Sequence, residues 1–286
     1  MNRRTRSALR CAVVAAVLTG LAGPGPAAYA QDRAAVSVPC VPDRAARLNE
    51  AVRTANAQPA VSWTVTLQAG CAYTLTRPFG GVNGLEPVTG HLRITSDGPD
   101  RAVIARSHDA GTPDFRVMEV ETGGRLVLDR ITLGNGSVGS GAGIFNNFGT
   151  LTLNHSALTG NRAKEFGGGL FNNGERAVTT LNHSTVGDGS SLFGGGGAFN
   201  NGGRLHLTDS AVTGNHAVEG VGGGILNNGG LSRLRLNRTT VSANEAGQTA
   251  GGLLNSGSLT TYRSPITHNL PNNCTGSTTP VPGCAD

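Results

Sequence analysis

The residue types able to do chemistry in this sequence recur at one position. His155, His183, Asp209, Arg238 and Arg263 each stand immediately before a Ser or Thr, in the phrases NHS, NHS, TDS, NRT and YRS. Two imidazoles and a carboxylate brought together form a donor set for a divalent metal, and His206 lies close in sequence to Asp209. An ordinary solvated face carries the same residues, and that plainer reading is preferred. A second group is acidic. Glu119, Glu121 and Asp129 share a stretch with Arg116, Arg125 and Arg130, with Asp109 and Asp114 just upstream. Hydrolysis of a glycosidic bond needs two carboxylates as acid and base. Elimination needs an Arg or Lys base, with carboxylate-held Ca²⁺ to acidify the α-proton. A charged surface loop has this composition too, and is again preferred. Phe145, Phe171 and Phe199 recur in register. Facing outward they would offer an apolar stripe to sugar rings. Facing inward they would be core, which is expected here because sugar platforms favour Trp and Tyr, and the chain has one Trp and three Tyr.

What must position these residues is a repeat. Gly is 44 of 286 residues, about twice the usual ~7%, and the glycines are periodic: GAGIFNNFG at 141, GGGLFNNG at 167, GGGAFNNGG at 195, GGGILNNGG at 222 and GGLLNSGS at 251. Aligned on Asn146, Asn172, Asn200, Asn227 and Asn255, the periods are 26, 28, 27 and 28 residues. After each Gly-Asn turn comes an alternating segment such as TLTLNHSALTGN or RLHLTDSAVTGN, the pattern of a strand with one buried face. Three short strands per period cannot bury a face alone, but stacked periods can, about 4.8 Å apart. Equivalent residues then form columns. Asn146 to Asn255 becomes an amide ladder. A second column runs Asn161, Asp188, Asn215, Asn244 and Asn269, a third Ser156, Ser184, Ser210, Thr239 and Ser264, and the apolar interior Ile144, Leu170, Ala198, Ile225 and Leu253. Weaker coils precede them at 63–76, 91–105 and 116–136.

GGGLFNNG and its copies resemble the glycine-rich repeats of right-handed parallel β-helix proteins of the pectin-lyase-like fold. They also resemble the Gly-Gly-x-Ile units of polymorphic outer-membrane protein repeats. The resemblance covers roughly residues 61–270. It implies an all-β, right-handed parallel β-helix of about eight coils, a rod of about 38 Å at ~4.8 Å per coil. Enzymes of this fold mostly cleave acidic polysaccharides, which would make Glu119, Glu121, Asp129 and Arg130 the catalytic candidates and Ca²⁺ the cofactor of a polysaccharide lyase. The Asn-Thr-Asp, Asp-Asp and Gly-His-Gly signatures of polygalacturonases do not occur. NHS resembles an Asp-His-Ser segment of some pectate lyases, but Asn stands where the carboxylate would be. The near-constant period over 141–269 leaves room for loop insertions only at 77–91 and 105–116. The expectation is therefore a non-catalytic structural, adhesive or glycan-binding module without a cofactor. His155, His183, Asp209, Arg238, Phe145, Phe171 and Phe199 are its candidate binding residues, with a polysaccharide or cell-surface component as partner. A lyase or glycoside hydrolase is the alternative.

The ends of such a rod need caps. Residues 43–57 place Leu48, Ala51, Val52 and Ala55 at helical spacing behind a candidate N-cap, Asp43. The organisation is then a segment with a capping helix at 31–60, the β-helix at 61–270 and a Pro-, Thr- and Cys-rich tail at 271–286. Residues 1–30 read as a signal peptide, with Arg3, Arg4, Arg6 and Arg10 before an apolar run and Ala28-Tyr29-Ala30 as the cleavage site. That predicts a secreted protein with no membrane span, a monomer. Cys40, Cys71, Cys274 and Cys284 suit an oxidising compartment and allow three pairings. Bridging the two ends would need Cα atoms within about 7 Å, so a rod predicts Cys40–Cys71 and Cys274–Cys284. Without residues 1–30 the charge is 19 basic against 18 acidic, or +1, which gives no reason to expect a nucleic-acid partner.

Overall fold

The computed structural model describes residues 33–79 and 81–286; the segment read as a signal peptide lies outside them. The chain winds into a parallel β-solenoid of about eight coils. Its strands line up in sheets of nine, eight, six and five strands. The nine-stranded sheet runs from Arg33–Val38 through Ser62–Leu67, His91–Ser96 and Arg125–Asp129 to Ser258–Tyr262. Each full coil has four strands rather than three. The extra one is a two-residue strand such as Arg162–Ala163, too short to leave an alternation in the sequence. Arg33–Val38, which the sequence did not mark, adds a rung ahead of Ser62–Leu67.

The interior follows the columns. Ile144 pairs in register with Leu170, Leu170 with Ala198, Ala198 with Ile225, and Ile225 with Leu253, all buried. Beside them the fully buried asparagines hand one amide to the next. Asn146 Nδ2 donates to Asn172 Oδ1 at 2.9 Å, and the steps Asn172–Asn200, Asn200–Asn227 and Asn227–Asn255 are each 2.7 Å. A second amide column, Asn147, Asn173, Asn201 and Asn228, runs along the outside with donation in the opposite direction.

The glycines have two separate causes. Gly141, Gly167, Gly195 and Gly222 turn the corner at φ between 62° and 66°, the left-handed region that glycine enters without a Cβ penalty. Two residues on, the constraint is contact: a Cβ on Gly197 would lie 2.6 Å from the Gly224 carbonyl oxygen of the next coil. In the last coil the corner residue is Ala250, with φ 53°, buried against the tail. Left-handed backbone costs a non-glycine residue roughly 1–2 kcal/mol, partly offset by the greater unfolded-state entropy of glycine. Ala250→Gly is therefore expected to stabilise the chain by roughly 0.5–1 kcal/mol, read by urea denaturation.

One column differs from the sequence reading. Arg162 pairs with Ser190 and Ser190 with His216, so Gly189, not Asp188, is the counterpart of Asn161 and Asn215. A Cβ there would meet the Gly196 carbonyl oxygen at 2.6 Å. The rung excludes a side chain, and the Gly189 N–H donates to Asn215 Oδ1 at 2.9 Å.

Both ends are covered. The helix Arg44–Asn56 buries Leu48, Ala51, Val52 and Ala55 against the first coils. Asp43 makes no capping hydrogen bond, because its carboxylate accepts from Arg47 Nε at 2.7 Å. Asn56 docks the helix end, donating to Pro87 O at 2.7 Å and accepting from Thr89 N at 3.0 Å. Disulfides join Cys40 to Cys71 and Cys274 to Cys284. The tail satisfies the last ladder member: Asn255 N donates to Ser277 Oγ, and Thr279 N donates to Asn255 O.

Candidate functional site

The residues before the Ser/Thr column share a backbone state. His155, His183, Asp209, Arg238 and Arg263 all have φ between 46° and 49°. The following hydroxyl makes that corner. Ser184 Oγ donates to Asn182 O at 2.8 Å, two residues back, and accepts from Ser156 N one coil away at 3.1 Å. The hydroxyl bridges over the left-handed residue, whose side chain is left to project outward. The column thus comes together as the sequence suggested. The His155 and His183 rings stack with centroids 5.1 Å apart and planes 3° apart. His183 Nε2 lies 3.9 Å from Asp209 Oδ2. Arg238 grips Asp209 with two contacts of 2.6 Å, and the hydrogen bonds from that guanidinium hold the Asp209 carboxyl below its ordinary value. Parallel rings point their nitrogens side by side rather than at one point, and the carboxylate is occupied by Arg238. Among the described residues no three His, Cys, Asp or Glu side chains form a cluster able to hold a metal.

The acidic stretch is divided by the fold. Glu119 lies on the outer side of the six-stranded sheet, where it pairs in register with Phe145. It accepts from Arg116 Nη1 at 2.7 Å in a buried pair that also engages Asn83 Oδ1 at 3.1 Å and Ser140 O at 3.0 Å. Burial pushes the Arg116 guanidinium below its ordinary value, opposed by Glu119. Asp129 ends a strand of the nine-stranded sheet instead. Its Oδ2 takes a hydrogen bond from Arg93, and its Oδ1 lies 3.3 Å from Arg130 Nη1 and 4.0 Å from His155 Nδ1. Glu121 belongs to the turn between these sheets. Residues 81–90 extend the edge of the six-stranded sheet, with bridges from Asn83 to Arg116 and from Val88 to Val120.

The phenylalanines correct the core expectation. Along Ile144–Asn147, Ile144 and Asn146 face the lumen, so Phe145 faces out. The Phe145–Phe171 and Phe171–Phe199 ring centroids are 5.0 and 4.7 Å apart. Phe166, from the loop beside the sheet, covers Phe199 at 5.0 Å, and Phe193 lies beyond it at 5.8 Å. Arg116 stacks over Phe145 at 4.8 Å. The result is a second apolar layer, outside the solenoid, that fastens the glycine corners to the sheet. Phe145 and Phe171 remain half-buried.

The broadest feature was not marked in the sequence. The outward positions of the nine-stranded sheet carry Arg33, His91, Arg93, Arg125, Arg204, His206, Arg233 and Arg235, against one carboxylate, Asp129. The balance of +1 left without residues 1–30 conceals this segregation. The signal lay in the alternating phrases HLRIT, RLVLD, RLHLT and RLRLN, whose leucines and isoleucine point in and whose basic residues must point out. At the front of the face, Arg33, Ser62, Thr64, His91, Arg93 and Arg125 border an open depression of about 720 Å³.

No protein-family model and no curated protein matches the chain. Among the described residues no helix is long and apolar enough to cross a membrane.

Proposed function

We propose that the protein is an extracellular, non-catalytic β-solenoid that binds a polysaccharide on the outside of its coils. The observation that carries this reading is the state of the candidate acids. Glu119, Asp129 and Asp209 are each held by an arginine, Arg116, Arg93 and Arg238 respectively, and Glu119 and Asp129 belong to different sheets. A carboxylate fixed in such a pair is poorly placed to carry a proton or to share a Ca²⁺ ion. The exposed strand positions, by contrast, recur at every coil while their side chains vary, a spacing suited to a repetitive polymer. The two disulfides support an oxidising, extracellular setting. The likeness of the Gly-Gly-x-Ile repeats to right-handed β-helix and polymorphic outer-membrane proteins supports a surface role.

The test is a retention and turnover assay on acidic and neutral polysaccharides, with and without Ca²⁺. Retention without new reducing ends and without the absorbance of unsaturated products is expected. Ca²⁺-dependent product formation would overturn the reading in favour of a lyase.

A further inference from the structure

The basic face raises a problem of its own. Register places Arg33, Ser62, His91, Arg125, Thr150, Val178, Arg204, Arg233 and Ser258 in one column. The neighbouring column holds Thr64, Arg93, Val127, Thr152, Thr180, His206, Arg235 and Thr260. Arg204 and Arg233 are therefore adjacent in one column, and His206 and Arg235 in the next. Like charges directly opposite one another in a sheet are destabilising. Among the described residues no carboxylate pairs with Arg33, Arg125, Arg204, Arg233 or Arg235. The cationic groups fall into a front set and a back set. The uncharged rungs Thr150/Thr152 and Val178/Thr180 lie between, so Arg125 and Arg204 are three rungs or about 14 Å apart.

We infer that this face binds an acidic glycan lying along the coil axis, its sulfate or carboxylate groups held by Arg33, His91 and Arg125 at the front and by Arg204, Arg233 and Arg235 at the back. The inference rests on the reading of the rod as a polysaccharide-binding module. Planar guanidinium forks suit sulfate and carboxylate oxygens, and the intervening threonines offer hydroxyls to sugar. Single-stranded nucleic acid is disfavoured by the same positions, which lack the aromatic platforms on which bases stack; the one aromatic side chain there is Tyr262, on the last strand.

His206 reports on the back set. Its partial burial, then Arg235 and Arg204, hold its pKa below the ordinary value. Thr180 and Arg235 flank it on the adjacent strands, and Arg204 and Thr208 lie on its own strand. An anion seated on Arg204 and Arg235 offsets their charge and favours the imidazolium, against the burial that lowers the His206 pKa.

The experiment measures affinity of the purified protein for a sulfated galactan, polygalacturonate, neutral dextran and duplex DNA across a salt series, with His206 followed by NMR titration. The comparison set is R204Q/R233Q/R235Q, the charge-retaining R204K/R233K/R235K, and R162Q on the five-stranded sheet, each checked for a melting temperature no lower than that of the parent protein. The expected result is salt-sensitive binding of an acidic glycan, with a rise in the His206 pKa. The triple Gln variant should lose about tenfold or more in affinity with a flatter salt dependence, the Lys variant less, and R162Q nothing. The galactan and polygalacturonate arms separate sulfate from carboxylate recognition. Binding of dextran that the triple Gln variant leaves untouched would overturn this face while leaving the module reading intact. Binding of no polysaccharide would overturn both, and tighter binding of DNA than of either acidic glycan would overturn the glycan assignment.

Discussion

Asn200→Asp is expected to destabilise the protein by roughly 3–5 kcal/mol, the cost of an unpaired charge or broken polar network in a fully buried site. Asn200 Nδ2 donates to Asn227 Oδ1 at 2.7 Å, to Gly203 O at 3.0 Å and to Arg233 O at 3.4 Å, while Asn172 donates to the Asn200 side chain. A carboxylate replaces the donor with a second acceptor, so oxygen faces oxygen at three contacts. The substituted carboxyl would escape by staying protonated in the folded state, at a pKa raised above its unfolded value. The sign follows from linkage. The penalty is least below the unfolded pKa of about 3.9, where both states are protonated, and grows as pH rises above it. Asn200→Ala loses the same bonds without the charge, so its deficit should be flat over that range. Urea denaturation at pH 4 and pH 8 reads the difference. A solenoid is held by contacts between neighbouring coils, and Asn200 lies at the third of the five ladder positions. Hydrogen exchange should therefore rise on both adjacent rungs, rather than only at the substituted one.

The second large effect belongs to the front cap. Removing the Cys40–Cys71 bridge as Cys40→Ser with Cys71→Ser should cost about 3–4 kcal/mol, because the cross-link closes 31 residues. The Cys274–Cys284 bridge closes only 10 residues, and its loss should cost about 2–3 kcal/mol. The front bridge also ties the chain leading into the capping helix to Cys71 beneath it. Differential scanning calorimetry of the two double variants tests the order. Equal losses, or a larger loss at the tail, would mean that loop closure is not what these bridges contribute.

Columns were legible in the sequence wherever a side chain had to be the same at every rung. Asn146 through Asn255 and Ser156 through Ser264 occupy sites with one hydrogen-bonding solution, and Ile144 through Leu253 a site that admits only apolar side chains, so the repeat fixes residue class and register together. The cap helix was legible from the spacing of Leu48, Ala51, Val52 and Ala55, and the disulfides from the length of the rod. Gly189 was not, because an amide ladder can skip a rung when a backbone N–H supplies the missing donor. The direction of the phenylalanines was not, because Phe145 alternates with Ile144 and Asn146, and a large apolar residue on either face satisfies the same pattern once a loop folds over it. The basic face was hidden for a different reason. Outward positions are free to vary, so Arg125, Thr150, Val178 and Arg204 share a column without sharing chemistry. Only the register places Arg204 beside Arg233, and Arg235 beside His206.

The measurement that bears most directly on where this protein acts is amide chemical-shift mapping with a soluble acidic oligosaccharide. Recognition by the outer face of the nine-stranded sheet predicts perturbations concentrated at 33–37, 91–95, 125–127, 204–208 and 233–235, with the Glu119 and Arg238 regions unmoved. Perturbations centred instead on Glu119 and Arg116, or on the His155–Arg238 corner, would place binding at the carboxylate sites and contradict a basic-face binder.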